Sequence, residues 1–192
     1  MNAAPSFIIA KGINNAASWY CYHKDLSNPE DKYLSLNGTD AVGTLANSWG
    51  TSAPNSTTFG DRQLGWSGGQ DVIAYCMSPV AGYSAFGLYI GSGGAGEPFV
   101  HTGFAVQFLM VKRTDSSGEW AINDAARNTF NPASNALFPD RTDAEDSTRH
   151  VDLLSNGFKL KNSSPIYNSS GGSYIYMAFA SNQFQGNGGL AR

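Results

Sequence analysis

Side chains able to do chemistry are few in this chain and stand apart. His23, His101 and His150 have no base, nucleophile or ligand at motif spacing, so each reads as a satisfied or exposed residue rather than a proton carrier or metal ligand. Asp25, Asp71, Glu119, Asp124 and Asp152 are scattered, and a paired acid and base of the glycosidase kind would have to converge from distant strands. The densest acidic stretch, Asp140-Arg141-Thr142-Asp143-Ala144-Glu145-Asp146, gathers oxygens that a calcium ion could use. It lacks the sharp-turn glycine and terminal bidentate glutamate of an EF-hand loop, and Arg141 and Arg149 stand by to neutralise it, so a solvated loop is the simpler reading. No zinc ligand set or other cofactor site is signalled, and the chain is not expected to be an enzyme.

Aromatic rings are better candidates, for binding rather than catalysis. Trp19 and Trp120 lie at the same distance after Lys11 and Lys112, and residues held in register twice are most simply core anchors. Trp49 and Trp66 have no such counterpart. In Gly65-Trp66-Ser67-Gly68 an indole can face a sugar ring or a partner subunit, or fold back over a sheet edge. Trp49, Trp66, Tyr83 and Tyr89 are therefore the candidate ligand-binding residues, with neighbouring Asn and Ser groups available to sugar hydroxyls.

The elements that must position them are written twice. Phe7-Ile8-Ile9-Ala10-Lys11 with Trp19 returns as Phe108-Leu109-Met110-Val111-Lys112 with Trp120, an offset of 101 residues at both anchors. Gly68-Gly69 followed by Val72-Ile73-Ala74-Tyr75-Cys76-Met77 returns as Gly171-Gly172 followed by Tyr174-Ile175-Tyr176-Met177-Ala178-Phe179, offset by 102. A period this long points to a duplicated half-domain rather than a short-repeat solenoid. Cys21 and Cys76 map onto Ile122 and Ala178, so both read as free core thiols rather than a disulfide.

Runs of Val, Ile, Tyr, Phe and Trp bounded by Gly, Asn, Ser and Pro predict strands near 7–11, 19–23, 33–36, 57–60 and 72–77. The second copy predicts them near 108–113, 120–123, 136–138, 157–161 and 174–180, with 85–90 and 99–104 between the copies, around the Gly91 to Gly96 turn. Val151 to Lys161 contains Asn156-Gly157 between two apolar runs, where tolerance of positive φ would make a tight turn. Short strands without helical periodicity predict an all-β protein, an antiparallel β-sandwich of jelly-roll or concanavalin-like type. A single body of residues 1–192 is expected, with a first repeat over 1–104 and a second over 105–192. Two separate domains are the alternative.

Composition narrows the partners. Only 14% of residues are charged, against roughly 25% in an average soluble protein, and Gly, Ser, Asn and Thr fill the gap. No charged residue occurs between Asp71 and Glu97 or between Lys161 and Arg192, so part of the polar surface is suited to neighbouring subunits, the rest of the effect coming from buried strands. A net charge of −3 without a Lys/Arg cluster argues against nucleic-acid binding. The uncharged run from Val72 to Gly91 is interrupted by Ser78, Pro79, Gly82, Ser84 and Gly87 and reads as two strands and a turn, not a membrane insertion. The opening Met-Asn-Ala-Ala-Pro is no secretory signal peptide, which leaves the sequons at Asn37, Asn55, Asn162 and Asn168 without weight.

Phe7 to Lys11, Trp19 to His23, Tyr33 to Thr39, Ser48-Trp49 through Pro54 and Val72 to Cys76 together resemble a repeat of unknown function found in tail-fibre-like and other virion proteins of marine and cyanobacterial bacteriophages. Phe108 to Asp115, Asp124 to Arg127, Phe158 to Leu160, Tyr174 to Ala180 and the final Ala191-Arg192 resemble that family's terminal copy. The resemblance implies a virion component rather than a reaction, and together with the duplicated scaffold and the uncharged polar surface it leads to the expectation of a non-enzymatic protein on the particle that contacts other virion proteins, forms a homo-oligomer and contributes to host attachment. A lectin-like module binding a host surface glycan and a polysaccharide depolymerase are the alternatives. It brings no catalytic residues with it.

Overall fold

The computed structural model describes residues 3–60, 64, 70–94 and 98–181. Its chain divides into two compact units, Met1–Ser78 and Pro79–Arg192. The first holds β1 (Phe7–Gly12), β2 (Tyr20–His23), β3 (Lys32–Ser35), β4 (Gly43–Thr44) and β5 (Val72–Met77), with one 3-10 turn at Pro29–Asp31. The second holds β6 (Ser84–Ile90), β7 (Phe99–His101), β8 (Val106–Arg113), β9 (Trp120–Asp124), β10 (Val151–Leu154), β11 (Gly157–Leu160) and β12 (Ser173–Ala180). Among the described residues every strand pairing is antiparallel, and the sheets do not close into a barrel. The protein is all-β.

In the first unit one sheet runs in the order β4-β3-β2-β1-β5. Residues two apart in a strand share a face. One face therefore gathers Ile8 and Ala10 from β1, Tyr20 and Tyr22 from β2, and Val72, Ala74 and Cys76 from β5, and Trp49, Phe59 and Leu64 from the long β4–β5 connection cover it. Phe7, Cys21, His23 and Leu34 on the opposite face are buried too. Burial pushes the Cys21 thiol up, so it stays protonated and inert.

The second unit is a sandwich. A four-stranded sheet, β6-β12-β8-β9, and a three-stranded sheet, β10-β11-β7, enclose one core in which Tyr89, Leu109, Val111, Tyr174 and Tyr176 of the first meet Val100, Val151, Phe158 and Leu160 of the second. Phe158 makes T-shaped contacts with both Tyr89 and Tyr176, at ring separations of 6.0 and 5.3 Å, the geometry that ring quadrupoles favour.

The pairing registers carry the sequence offsets into three dimensions. Phe7↔His23 through Ala10↔Tyr20 between β1 and β2 match Phe108↔Asp124 through Val111↔Ala121 between β8 and β9, pair for pair. Phe7↔Met77 through Gly12↔Val72 between β1 and β5 match Phe108↔Phe179 through Arg113↔Tyr174 between β8 and β12. Even the lysines agree: Lys11 Nζ donates to Asn15 O at 3.0 Å and Lys112 Nζ to Gly118 O at 2.5 Å, each tying down its own hairpin loop.

Several local expectations need correction. Residues 57–60 are not a strand, because Asn55 Oδ1 accepts the N–H groups of Thr57 and Thr58, both at 2.9 Å, which are donors a ladder would need. Residues 136–138 make only isolated bridges, Ala136 to Asp146 and Leu137 to Ile122, and β7 stops at His101 instead of reaching Phe104. Trp120 is 1% exposed but Trp19 is 37% exposed, so the matched sequence offset did not secure matched burial. Cys76 is only half-buried. The β10–β11 hairpin turns at Ser155-Asn156, and neither Asn156 nor Gly157 has positive φ. Gly157 is needed for another reason: a Cβ there would stand 2.1 Å from Val100 O on the adjoining strand β7.

Candidate functional site

A recess of about 230 Å3 opens in the β4–β5 connection of the first unit. Thr51, Ser52, Asn55 and Thr58 line it with hydroxyl and amide groups, Phe59 adds an apolar wall, and Gly50 and Gly60 bring backbone close. The sequence builds it through local bonds. Asn55 Nδ2 donates to Thr58 Oγ1 at 3.0 Å, and Asn55 N donates to Thr58 O at 2.9 Å, closing the loop on itself. Gly50 has φ +110°, a conformation that disfavours side chains, and Gly60 donates its N–H to Trp49 O at 2.8 Å. A Cβ on Gly60 would come within 2.7 Å of Gly50 Cα, so the two glycines are a matched pair.

None of the lining side chains titrates near neutral pH, so the recess is equipped to hydrogen-bond a neutral polar ligand and to pack one apolar edge. It has no group to move a proton.

Neither Trp49 nor Tyr89 offers its ring to a ligand. Trp49 is 0% exposed, and its indole N–H donates to Lys32 O at 2.7 Å. It supports the recess from within and offers no free ring face. Tyr89 is likewise buried: its ring stacks on Tyr174 at 5.0 Å, interplanar angle 7°, and its hydroxyl donates to Tyr167 O at 2.8 Å. Tyr83 is half-buried and leans on Phe179 at 5.6 Å. Trp66 and the Gly68-Gly69 pair lie outside the described residues, as do Glu97 and Ala191-Arg192.

The acidic stretch spends its charge on arginines. Arg141 bridges Glu119 at 3.0 Å and also pairs with Asp143, Arg149 pairs with Asp146 at 2.9 Å, and Arg127 spans Asp124 at 2.5 Å and Glu145 at 2.6 Å. Asp140 is held differently. Burial pushes its carboxyl up, while its Oδ2 accepts Trp120 N–H at 3.3 Å. Among the described residues no group of His, Cys, Asp and Glu is gathered for a metal ion. Asn168 is fully buried and accepts Ser92 N–H at 2.6 Å, which makes it a loop fastener rather than a modification site.

Sequence reasoning missed the recess, since its lining is an ordinary polar loop, although Asn55-Ser56-Thr57-Thr58 carries the signal of a self-capping turn. It also missed the exposed apolar side chains of the edge strands, Ile73 and Tyr75 on β5 and Leu88 and Ile90 on β6, and Phe130, which is 85% exposed.

A model of a domain of unknown function, DUF7483, matches residues 1–183. The chain belongs to the DUF7483 family. Family membership thus extends through both units, from β1 to the end of β12. No curated protein and no solved structure matches the chain significantly.

Proposed function

We propose that this DUF7483 protein is a non-enzymatic structural component of a bacteriophage particle, a fibre, appendage or decoration module that works by docking to other virion proteins and to copies of itself, and contributes to host-surface attachment. One observation carries the reading. Ile73, Tyr75, Val80, Leu88 and Ile90 are all exposed, and all fall within the stretch between Asp71 and Glu97 that holds no charge. Exposed apolar side chains on uncharged sheet edges favour association, because little charge is desolvated when subunits meet. The likeness of the Phe7–Lys11 and Phe108–Lys112 units to virion repeats supports the setting, and the coincident registers support a duplicated scaffold. Mass spectrometry of purified particles from the phage that encodes the chain is the test. Stoichiometric presence is expected, and absence from particles overturns the proposal.

The recess favours a second reading, a weak glycan-binding module whose sites act together on a multivalent particle. Thr51, Ser52 and Asn55 would meet sugar hydroxyls there, in place of the buried Trp49 and Tyr89. A glycan array probed with wild type and with Ser52→Tyr, which fills the recess, tests it: hits lost in the variant support it, and no hits or unchanged hits dismiss it.

A further inference from the structure

The two units share the arrangement β2-β1-β5 and β9-β8-β12, but their outer edges differ. In the second unit β6 pairs along β12, setting Leu88 opposite Ile175, Gly87 opposite Tyr176 and Phe86 opposite Met177. Ile175 is 1% exposed and Met177 6%. Their counterparts by register in the first unit are Ile73 and Tyr75, which pair with Lys11 and Ile9 as Ile175 and Met177 pair with Lys112 and Met110. Ile73 is 41% exposed and Tyr75 51%, and among the described residues no strand pairs along the outer side of β5.

The backbone of β5 is set for such a strand. Ile13 N–H bonds to Asp71 O at 2.8 Å, and in an antiparallel ladder the bonds to one neighbour come from alternate residues. Asp71, Ile73, Tyr75 and Met77 therefore bond towards β1. Val72, Ala74 and Cys76 turn their N–H and C=O groups outwards, as Tyr174, Tyr176 and Ala178 do towards β6. No lysine, proline or bulge blunts this edge, the devices by which sheet edges ordinarily avoid pairing.

We infer that the outer edge of β5 is a self-association surface, occupied by β5 of a second copy of this chain in antiparallel register about a two-fold axis at Ala74. This rests on the reading above that the protein assembles with itself, and names the surface.

The occupant follows from self-complementarity. A two-fold axis normal to the sheet keeps each face on the same side, so Ile73 lies opposite Tyr75 of the second copy and Tyr75 opposite its Ile73. Such β-branched–aromatic pairs are favourable cross-strand neighbours, and these two sit at the non-hydrogen-bonded positions where side chains approach most closely. Val72, Ala74 and Cys76 then exchange about six backbone hydrogen bonds with the same residues of the second copy. No charge lies within the paired segment, so nothing repels. The second copy supplies apolar neighbours to Ile73 and Tyr75 as Leu88 and Phe86 of β6 do for Ile175 and Met177.

Two double variants at these exposed positions test both surface and register, read by light scattering coupled to size-exclusion chromatography across a micromolar dilution series. Wild type is expected to be dimeric. Ile73→Lys/Tyr75→Lys places like charges opposite one another and should weaken dimerisation by about tenfold or more. Ile73→Lys/Tyr75→Glu places opposite charges across the axis and should restore the dimer at low salt, more weakly as salt is raised. That rescue also shows that loss in the first variant is not misfolding. A wild type that self-associates equally well as the double lysine variant overturns the inference and leaves self-assembly standing. Wild type that stays monomeric yet is present in purified particles overturns it and leaves the virion role. Dissociation of both variants overturns the register centred on Ala74.

Discussion

Asn123 is fully buried on β9, and both ends of its amide are bonded: Nδ2 donates to Ala133 O at 3.0 Å and to Asn135 O at 3.3 Å, while Oδ1 accepts the Tyr167 hydroxyl at 2.6 Å. Burial pushes the Tyr167 phenol up, so it stays a protonated donor. Removing Asn123 takes a partner from each of three groups, the buried Tyr167 hydroxyl among them, and losing a buried partner costs more than the bond itself contributed. Asn123→Ala, which breaks three bonds, should lose about 3 kcal/mol in urea unfolding, and Tyr167→Phe, which breaks one and leaves Asn123 Oδ1 without it, about 1–2 kcal/mol. Equal losses would show that the network is not arranged as described. Trp49 poses the opposite case, an aromatic residue that sequence offers to a ligand and the fold takes for itself. Trp49→Ala should cost about 3–5 kcal/mol of stability, measured by urea titration, because it vacates the core of the first unit.

At the scale of elements, register transmits the offset in sequence and burial does not. Phe7 and Phe108 meet partners at equivalent places on both sides, whereas Trp19 and Trp120 differ in exposure because Lys112↔Trp120 is a ladder pair while the β1–β2 pairing ends at Ala10↔Tyr20. Edge and turn glycines matter for the same reason, that what lies alongside a strand decides which residues it tolerates. Gly157→Ala should destabilise by about 1–3 kcal/mol, as β11 and β7 are pushed apart. Hydrogen exchange should show protection lost first at the amides these two strands share, around Phe158 and Val100. An exchange pattern changed only in the β10–β11 turn would refute the close-approach account of this glycine.

For the whole molecule, the second unit holds carboxylates tuned to stay ionised. Arg113 hydrogen bonding, against burial, holds Asp115 below its ordinary range. At Asp124 burial pushes up but is outweighed by the Arg127 backbone and guanidinium bonds, and at Asp146 the Thr148 hydroxyl bond is the main lowering influence. A carboxyl lowered in the folded state stabilises above its unfolded pKa, and that stability is lost as pH falls through the folded value. Asp140, raised by burial, acts in the opposite sense, recovering stability as it protonates. With three groups against one, acidification below about pH 4 should lower the unfolding midpoint of the second unit. The fluorescence of Trp120, on β9, taken as the difference from Trp120→Phe because the other three tryptophans belong to the first unit, reports that unit, and a midpoint unchanged between pH 7 and pH 3 would refute the assignment.

The amino-acid order by itself determined the all-β class, most strand positions and the long offset, since these follow from side-chain alternation and turn chemistry within a few residues. It also showed where charge is missing. It could not say that Trp49 and Tyr89 lie inside, that Asn55 organises a recess, or that, among the described residues, β12 is paired on both sides while β5 is paired only with β1. Those outcomes depend on which segment covers which face and edge. An indole in a polar loop, or an apolar strand, looks the same from its neighbours in sequence whether the fold buries it or leaves it open, and only tertiary packing makes that choice.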